Sequence, residues 1–318
     1  MARSEDENRG SQAEAVRLRA ELARKIVAHT RMDGIEETDV PGMTLYRNSS
    51  PTLCTSGAYE PALIVFVQGE KHVNVGGTTL VCNESTFLLT SIDMPVVSQV
   101  TKASKERPIL AMILRIEMPM VREILSQEEF HLSEATSETR GMAVGESSVE
   151  LLQACARLLD LLDAPQGVSF LSNLIQRELI YRLLRGPQGR HLCAIATLGE
   201  QSNRTARAVA WLRENYAKPL RVEDLASVAQ MGVSTLHHHF RSLTAMSPMQ
   251  YQKQLRLHTA RVRMLMDGLD AASAAFEVGY ESPSQFSREY SRFFGQPPMR
   301  DIKLRRSSVA PGLDLMQA

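Results

Sequence analysis

Two stretches of the 318-residue chain concentrate side chains suited to reading the edges of bases. In V-S-T-L-H-H-H-F-R, the polar groups Ser234, His237, His238 and Arg241 lie at helical spacing away from Leu236 and Phe240. In S-P-S-Q-F-S-R-E-Y, the matching groups are Ser282, Ser284, Gln285 and Arg288, set against Phe286 and Tyr290. A guanidinium forms a planar fork that fits guanine O6 and N7, and a carboxamide fits adenine N6 and N7. The candidates for base contact are therefore Ser234, His237, His238, Ser284, Gln285 and Arg288, with Arg288 the best suited. A solvated surface role or a phosphate contact is the alternative for each.

Such groups read a major groove only when a rigid element presents them, and each stretch is the second half of a helix-turn-helix pattern. In the first unit Leu225 and Ala226 mark the buried side of the opening helix, and Met231 to Val233 form the turn. Leu236 and Phe240, spaced i and i+4, anchor the second helix. The second unit repeats the plan with Ala275, a turn at Gly279 and Tyr280, and the pair Phe286 and Tyr290. Leu236 and Phe286 stand 50 residues apart, the length of one internal repeat. Ser247 as N-cap and Pro248 at the first helical position start the helix that joins the units. Gly295, Pro297 and Pro298 write a stop after the last recognition helix.

The tandem units, the S-P start, the G-Y-E-S turn and the closing F-F-G-x-P-P resemble the DNA-binding domain of the AraC/XylS family of bacterial transcription regulators. The segment Y-E-P-A-L-I-V-F-V-Q-G-E-K-H-V resembles the cupin-like effector domain of one branch of that family, so the likeness runs from about Gly34 to Arg306. By position against the family motif, His237, His238, Gln285 and Arg288 fall where base readers usually stand. Arg221 departs from the pattern, because a Ser or Thr cap commonly begins the first unit's opening helix there. The resemblance implies binding to double-stranded operator or promoter DNA, a small-molecule effector and a homodimer, with RNA polymerase a further candidate partner. Arg241, Lys253, Arg256, Arg292 and Arg300 are the candidates for phosphate contacts, with solvated charge as the alternative.

Charge is partitioned in keeping with this reading. Residues 200–306 hold 16 Lys and Arg against 10 Asp and Glu, net +6, whereas residues 1–199 hold 20 against 25, net −5. One half suits phosphates and the other does not. From Gly42 to Ile116 short β-branched runs are broken by Gly, Pro, Asn and Asp. They predict strands near 44–48, 63–68, 72–75, 78–82, 86–90, 96–100 and 109–116, with a Gly-Gly hairpin in V-N-V-G-G-T-T-L-V. Helices are expected at 13–29, 119–125, 149–162, 168–184 and 203–216, residues 128–148 as a polar connection, and the first dozen residues as a disordered end. The fold class is thus α+β: an N-terminal cupin-like β-barrel with flanking helices, then an all-α double helix-turn-helix domain. The expected divisions are 1–33 as tail and helix, 34–185 as effector and dimerisation domain, 186–202 as linker, 203–306 as DNA-binding domain and 307–318 as tail.

A-L-I-V-F-V is apolar on both faces, so one face can line an interior pocket. Ile64, Phe66, His72 and Cys54 are the effector-pocket candidates. Cys54 or Cys82 would meet a thiol-reactive effector if exposed with a lowered pKa, against the plainer role of a small buried apolar residue. No metal or other cofactor is expected. Adjacent histidines 237 to 239 diverge by about 100° on a helix and cannot share one ion, and the sheet region has one histidine and no H-x-H pair. Nucleophile-elbow, phosphate-loop and dinucleotide motifs are missing, so no catalytic residue is assigned and the chain is read as a non-enzyme. The four cysteines lack metal or disulfide spacing, and no apolar run has transmembrane length, which together place the protein in the cytoplasm without membrane contact. The competing readings are a cupin-type metal-dependent enzyme and a protein-interaction module, each with secondary DNA binding.

Overall fold

The computed structural model describes residues 2–127, 141–197 and 199–308. Ten strands follow the first helix, α1 (Ala2–His29): β1 (Gly34–Glu37), β2 (Met43–Asn48), β3 (Thr55–Tyr59), β4 (Ala62–Gln68), β5 (Glu70–Val75), β6 (Thr78–Asn83), β7 (Thr86–Thr90), β8 (Met94–Lys102), β9 (Ile109–Arg115) and, after α2 (Met118–Gln127), β10 (Met142–Glu146). The seven predicted strands are present. β1, β3 and β10 were not foreseen, and β10 lies inside the stretch read as a polar connection, whose residues 128–140 fall outside the described residues. Helix α1 starts at Ala2 rather than Ala13, with Ala15, Leu18, Leu22 and Ile26 buried at the expected period. Gly76 and Gly77, both at positive φ, make the two-residue turn from β5 to β6.

The strands form two antiparallel sheets, β1-β2-β9-β4-β7-β10 and β3-β8-β5-β6. The expected cupin-like barrel is not closed. β6 and β7, joined by a tight turn at Glu84 and Ser85, belong to different sheets, so no hydrogen-bond ladder seals that side. The result is an open two-sheet sandwich. The central strands β4, β7 and β9 of the larger sheet are buried on both faces, as the unbroken apolar run of β4 predicts. Leu63 and Val65 pack outward under α1 and α3 (Val149–Asp160), while Ile64 and Phe66 point inward toward Val73, Val75, Val96 and Val100 of the smaller sheet. Each of these side chains adds about 1.5–3 kcal/mol through burial.

Helix α4 (Val168–Arg185) completes the outer layer. The stretch read as a linker contains a further helix, α5 (Gly189–Ala196), whose Leu192, Ile195 and Ala196 are buried. A Cβ at Gly189 would stand 2.0 Å from the Leu184 carbonyl oxygen, so this chain crossing needs glycine. Seven more helices follow: α6 (Gln201–Glu214), α7 (Val222–Ala229), α8 (Val233–Thr244), α9 (Pro248–Met266), α10 (Ala271–Glu277), α11 (Pro283–Phe294) and α12 (Pro298–Ser308). Helix α9 serves two cores. Tyr251 and Leu255 pack with Leu225, Leu236 and Phe240, while Leu257, Ala260 and Met264 pack with Ala275, Phe286 and Tyr290.

Candidate nucleic-acid interface

Helices α7 and α8 make the first helix-turn-helix, and α10 and α11 the second. Each opening helix ends in a left-handed residue, Gln230 at φ +53 and Gly279 at φ +87. The next amide closes each turn, Met231 N to Ala226 O at 3.0 Å and Tyr280 N to Ala275 O at 2.9 Å. These equivalent positions are 49 residues apart, against 50 for Leu236 and Phe286, so the second turn holds one extra residue. At Gly279 a Cβ would lie 1.9 Å from the Ala217 carbonyl oxygen, which explains glycine there.

Caps fix where the helices begin. Ser247 and Gln250 form a reciprocal capping box on α9, Asp270 caps α10 through the amides of Ala272 and Ser273, and Ser282 caps α11 through Gln285 N. Arg221, at the start of α7, makes no side-chain cap, consistent with its departure from the family pattern. Glu223 and Asp224 in the first turn still suit the helix dipole.

Among the residues expected to read bases, Ser234, His237, His238, Ser284, Gln285 and Arg288 are all exposed, and all lie in the first half of α8 or α11. Gln285 donates weakly to Glu289 at 3.3 Å, a contact that a better acceptor can replace. His239, half-buried beside His238, has its imidazole pKa lowered by burial and then by that neighbour. Of the residues expected at phosphates, Arg241, Lys253, Arg292 and Arg300 are exposed.

Arg256 is a correction. Its guanidinium donates to the carbonyls of Tyr216 at 2.7 Å, Gly279 at 2.9 Å, Ala217 at 3.2 Å and Lys218 at 2.8 Å, and it lies over the Tyr280 ring. One helical turn earlier Gln252 binds the Tyr216 and Lys218 carbonyls as well. Gln252 thus pins the loop before α7 to α9, and Arg256 ties that loop to the turn of the second unit, so Arg256 holds the two readers in one arrangement. Below them the Asp301 carboxylate accepts from Arg261 at 2.7 and 2.9 Å and from Tyr290 at 2.7 Å. Burial opposes that charge, but the two partners outweigh it and hold Asp301 below the ordinary carboxylate range. His258 is buried edge-on to Phe293 and Phe294, and neither ring nitrogen has a hydrogen-bond partner among the described residues. Burial, aided by Arg261, pushes this imidazole down to about 3.

The expected effector residues separate. Ile64 and Phe66 line a small cavity of about 10 Å³ between the sheets, together with Tyr46, Tyr59, Lys71 and Ile113. His72 faces the opposite side of β5 and contacts Glu70, and Cys54 is exposed ahead of β3. Neither lines this cavity: His72 alternates with Lys71 and so points to the other face of β5, and Cys54 lies outside the strands at the surface. Cys82 is inside but inert, its thiol pushed up to about 12 by burial. Lys71 was missed. The alternation of E-K-H-V-N-V sets it on one face with Val73 and Val75, and that was the available signal.

The helices of the first unit dock on the end of the sandwich. Gly141 N donates to Leu243 O at 2.8 Å, and the Tyr251 hydroxyl donates to Asp93 O at 2.6 Å. Arg213 bonds the Asp93 carboxylate at 2.6 Å and also pairs with Glu60. A Cβ at Gly76, on the β5–β6 hairpin, would come within 2.4 Å of the Ala245 Cβ at the end of α8. The hairpin that carries Lys71 thus abuts the foot of a recognition helix.

Two family models match the chain: AraC-type transcriptional regulator N-terminus over residues 39–191, and helix-turn-helix domain over residues 225–303. The HTH-type transcriptional regulator ArgR of Pseudomonas aeruginosa is 25% identical over 153 residues, 48% of this chain and 46% of that protein. The HTH-type transcriptional activator RhaS of Yersinia pestis is 25% identical over 155 residues, 49% and 54% of the two chains. The chain thus spans about half the length of these curated relatives. ToxT of Vibrio cholerae, solved with a bound unsaturated fatty acid, superposes with TM-score 0.54 at 10% identity over 86% of this chain and 97% of that one, a likeness of fold.

Proposed function

This chain belongs to the AraC/XylS family of transcription regulators, and we propose that it binds specific double-stranded DNA under the control of a small molecule held between its two sheets. The observation that carries the reading is the exposure of all six base-reading candidates on the leading halves of two recognition helices, whose spacing Arg256 stabilises. Each protomer would set α8 and α11 into successive major grooves on one face of the duplex, about 34 Å apart. Ligand entry would part the sheets and move the β5–β6 hairpin against Ala245, shifting the population between docked and released arrangements of the first unit. ToxT, which shares this fold, was solved with a bound unsaturated fatty acid, and that supports a small-molecule effector for this chain.

We place the protein in the cytoplasm as a homodimer paired through α4, where Phe170, Leu171 and Leu174 are exposed on one helix. RNA polymerase is a further candidate partner at promoters. Among the described residues no helix is long and apolar enough to cross a membrane. Among the described residues no group of three or more His, Cys, Asp or Glu converges.

The test is binding of the purified protein to its own upstream intergenic DNA across a salt series, beside shuffled DNA of equal composition. Selective binding that weakens steeply with salt is expected. Equal affinity for both DNAs at every salt concentration would overturn the reading.

A further inference from the structure

The two helix-turn-helix units are fastened differently. In the second, the side chains of Asp270 and Ser282 cap α10 and α11. In the first, Arg221 makes no side-chain cap on α7 and Gly232 has no side chain to offer α8, so a local cap does not set where the first reader begins. The turn is held from α6 instead. The Arg204 guanidinium donates to the carbonyl of Gln230 at 3.3 Å, and Gln230 is the left-handed residue that ends α7. Its counterpart in the second unit is Arg256, which donates to the carbonyl of the left-handed Gly279 at 2.9 Å. Gln230 stands two residues before Gly232, the N-cap of α8, so the placement of its peptide sets the line along which α8 leaves the turn. Nine residues further along α6, about 13 Å by helical rise, Arg213 bonds the Asp93 carboxylate at 2.6 Å and pairs with Glu60. Helix α6 therefore grips the sandwich at one end and the turn of the first reader at the other.

We propose that Arg204 is a positioning residue for sequence recognition by the first unit, setting the angle of α8 through the Gln230 carbonyl, and that Arg213 ties that setting to the sandwich. This rests on the reading of α8 and α11 as the base readers. Arg204 acts through a peptide and not through a base, so its loss blurs recognition at the base pairs under α8 and spares those under α11. A phosphate contact would behave otherwise, weakening all sites alike and lowering the salt slope by about one. The second reader is insulated from α6, because Arg256 of α9 holds its turn and its own caps set its helix starts.

The experiment measures affinity of the full chain for a duplex selected from its upstream DNA and for every single-base-pair substitution of that duplex, at two salt concentrations, together with Tm. Wild type is compared with Arg204→Met, Arg204→Lys and Arg213→Gln. The double variant His237→Ala, His238→Ala marks the base pairs under α8, and Arg288→Ala marks those under α11. Arg204→Met should lower discrimination at the α8 base pairs about tenfold, with the α11 base pairs and the salt slope unchanged. Arg204→Lys keeps a donor for the Gln230 carbonyl and should restore part of that discrimination, while Arg213→Gln should blur the same base pairs by less. Even loss over all sites with a shallower salt slope overturns the inference and makes Arg204 a phosphate contact. A lower Tm with an unaltered pattern of discrimination overturns it as well, and a wild-type pattern in Arg213→Gln overturns the tie to the sandwich. If the histidine variant relaxes no base pair, the reading of α8 falls and this inference with it, whereas Arg288→Ala still reports on α11.

Discussion

Arg288 and Arg256 put the same guanidinium to opposite uses. Arg288 is exposed on α11, where its donors can face a base edge, whereas Arg256 spends four N–H groups on backbone carbonyls. Arg288→Ala should therefore cost about 1–3 kcal/mol on the cognate site and relax preference at one base pair, read by binding to a set of single-substituted sites. Uniform loss on all sites would instead make Arg288 a phosphate contact. His258 brings a pH dependence. Its folded imidazole stays neutral down to about 3, while the unfolded one protonates below about 6.5. Between those values the unfolded state binds the extra proton, so stability falls as pH drops through this window, by up to about 1.4 kcal/mol per pH unit. His258→Phe should flatten that part of the curve in urea melts at about pH 5 and about pH 7.5. An unchanged slope would show that other groups set the acid sensitivity.

The two helix-turn-helix units differ in the chemistry of their turns. Gly279 sits at φ +87 with the Ala217 carbonyl where a side chain would go, while Gln230 bears a side chain at φ +53. Gly279→Ala should lower stability by about 2 kcal/mol or more through the clash and the strained backbone, whereas Gln230→Gly should be neutral or gain up to about 1 kcal/mol. Chemical denaturation of the pair checks both, and equal effects at the two sites would remove the distinction. The capping box of α9 matters for the same reason. It fixes the start of the helix whose Arg256 holds the two units together.

In the assembled chain the sandwich and the first helix-turn-helix share one apolar cluster, from Ile64 and Val73 through to Leu236 and Tyr251. Burial raises the Asp93 carboxyl above its ordinary range at that seam, and Arg213 opposes the rise. A ligand that parted the sheets, as proposed, would act on packing that the helices of the first unit also use, which would give the coupling a physical route. Across the molecule, α4 turns Phe170 outward at 71% exposure, with Leu174 at 50% one turn on. Phe170→Asp combined with Leu174→Asp should shift the protein to monomer in sedimentation, with folding unchanged and affinity for paired half-sites reduced. A species unchanged in mass would place any dimer contact elsewhere.

Helical periodicity and caps were legible before any coordinates, because both depend on neighbours three or four residues away. This is why α8, α9 and α11 and their exposed faces fall where the pattern placed them. Strand positions were equally local, and seven were anticipated from alternation and turn residues. The closure of the sheet was not, since whether β6 and β7 share a ladder depends on partners far along the chain. Nor was β10, a short strand whose place is made by pairing with β7. Arg256 looked like any basic residue on a helix, and the carbonyls that occupy it come from two distant loops. Lys71 was readable as inward by its register with Val73 and Val75. That inward meant a chamber walled by Tyr46 and Tyr59 depended on two sheets meeting face to face, and packing between distant strands sets that arrangement.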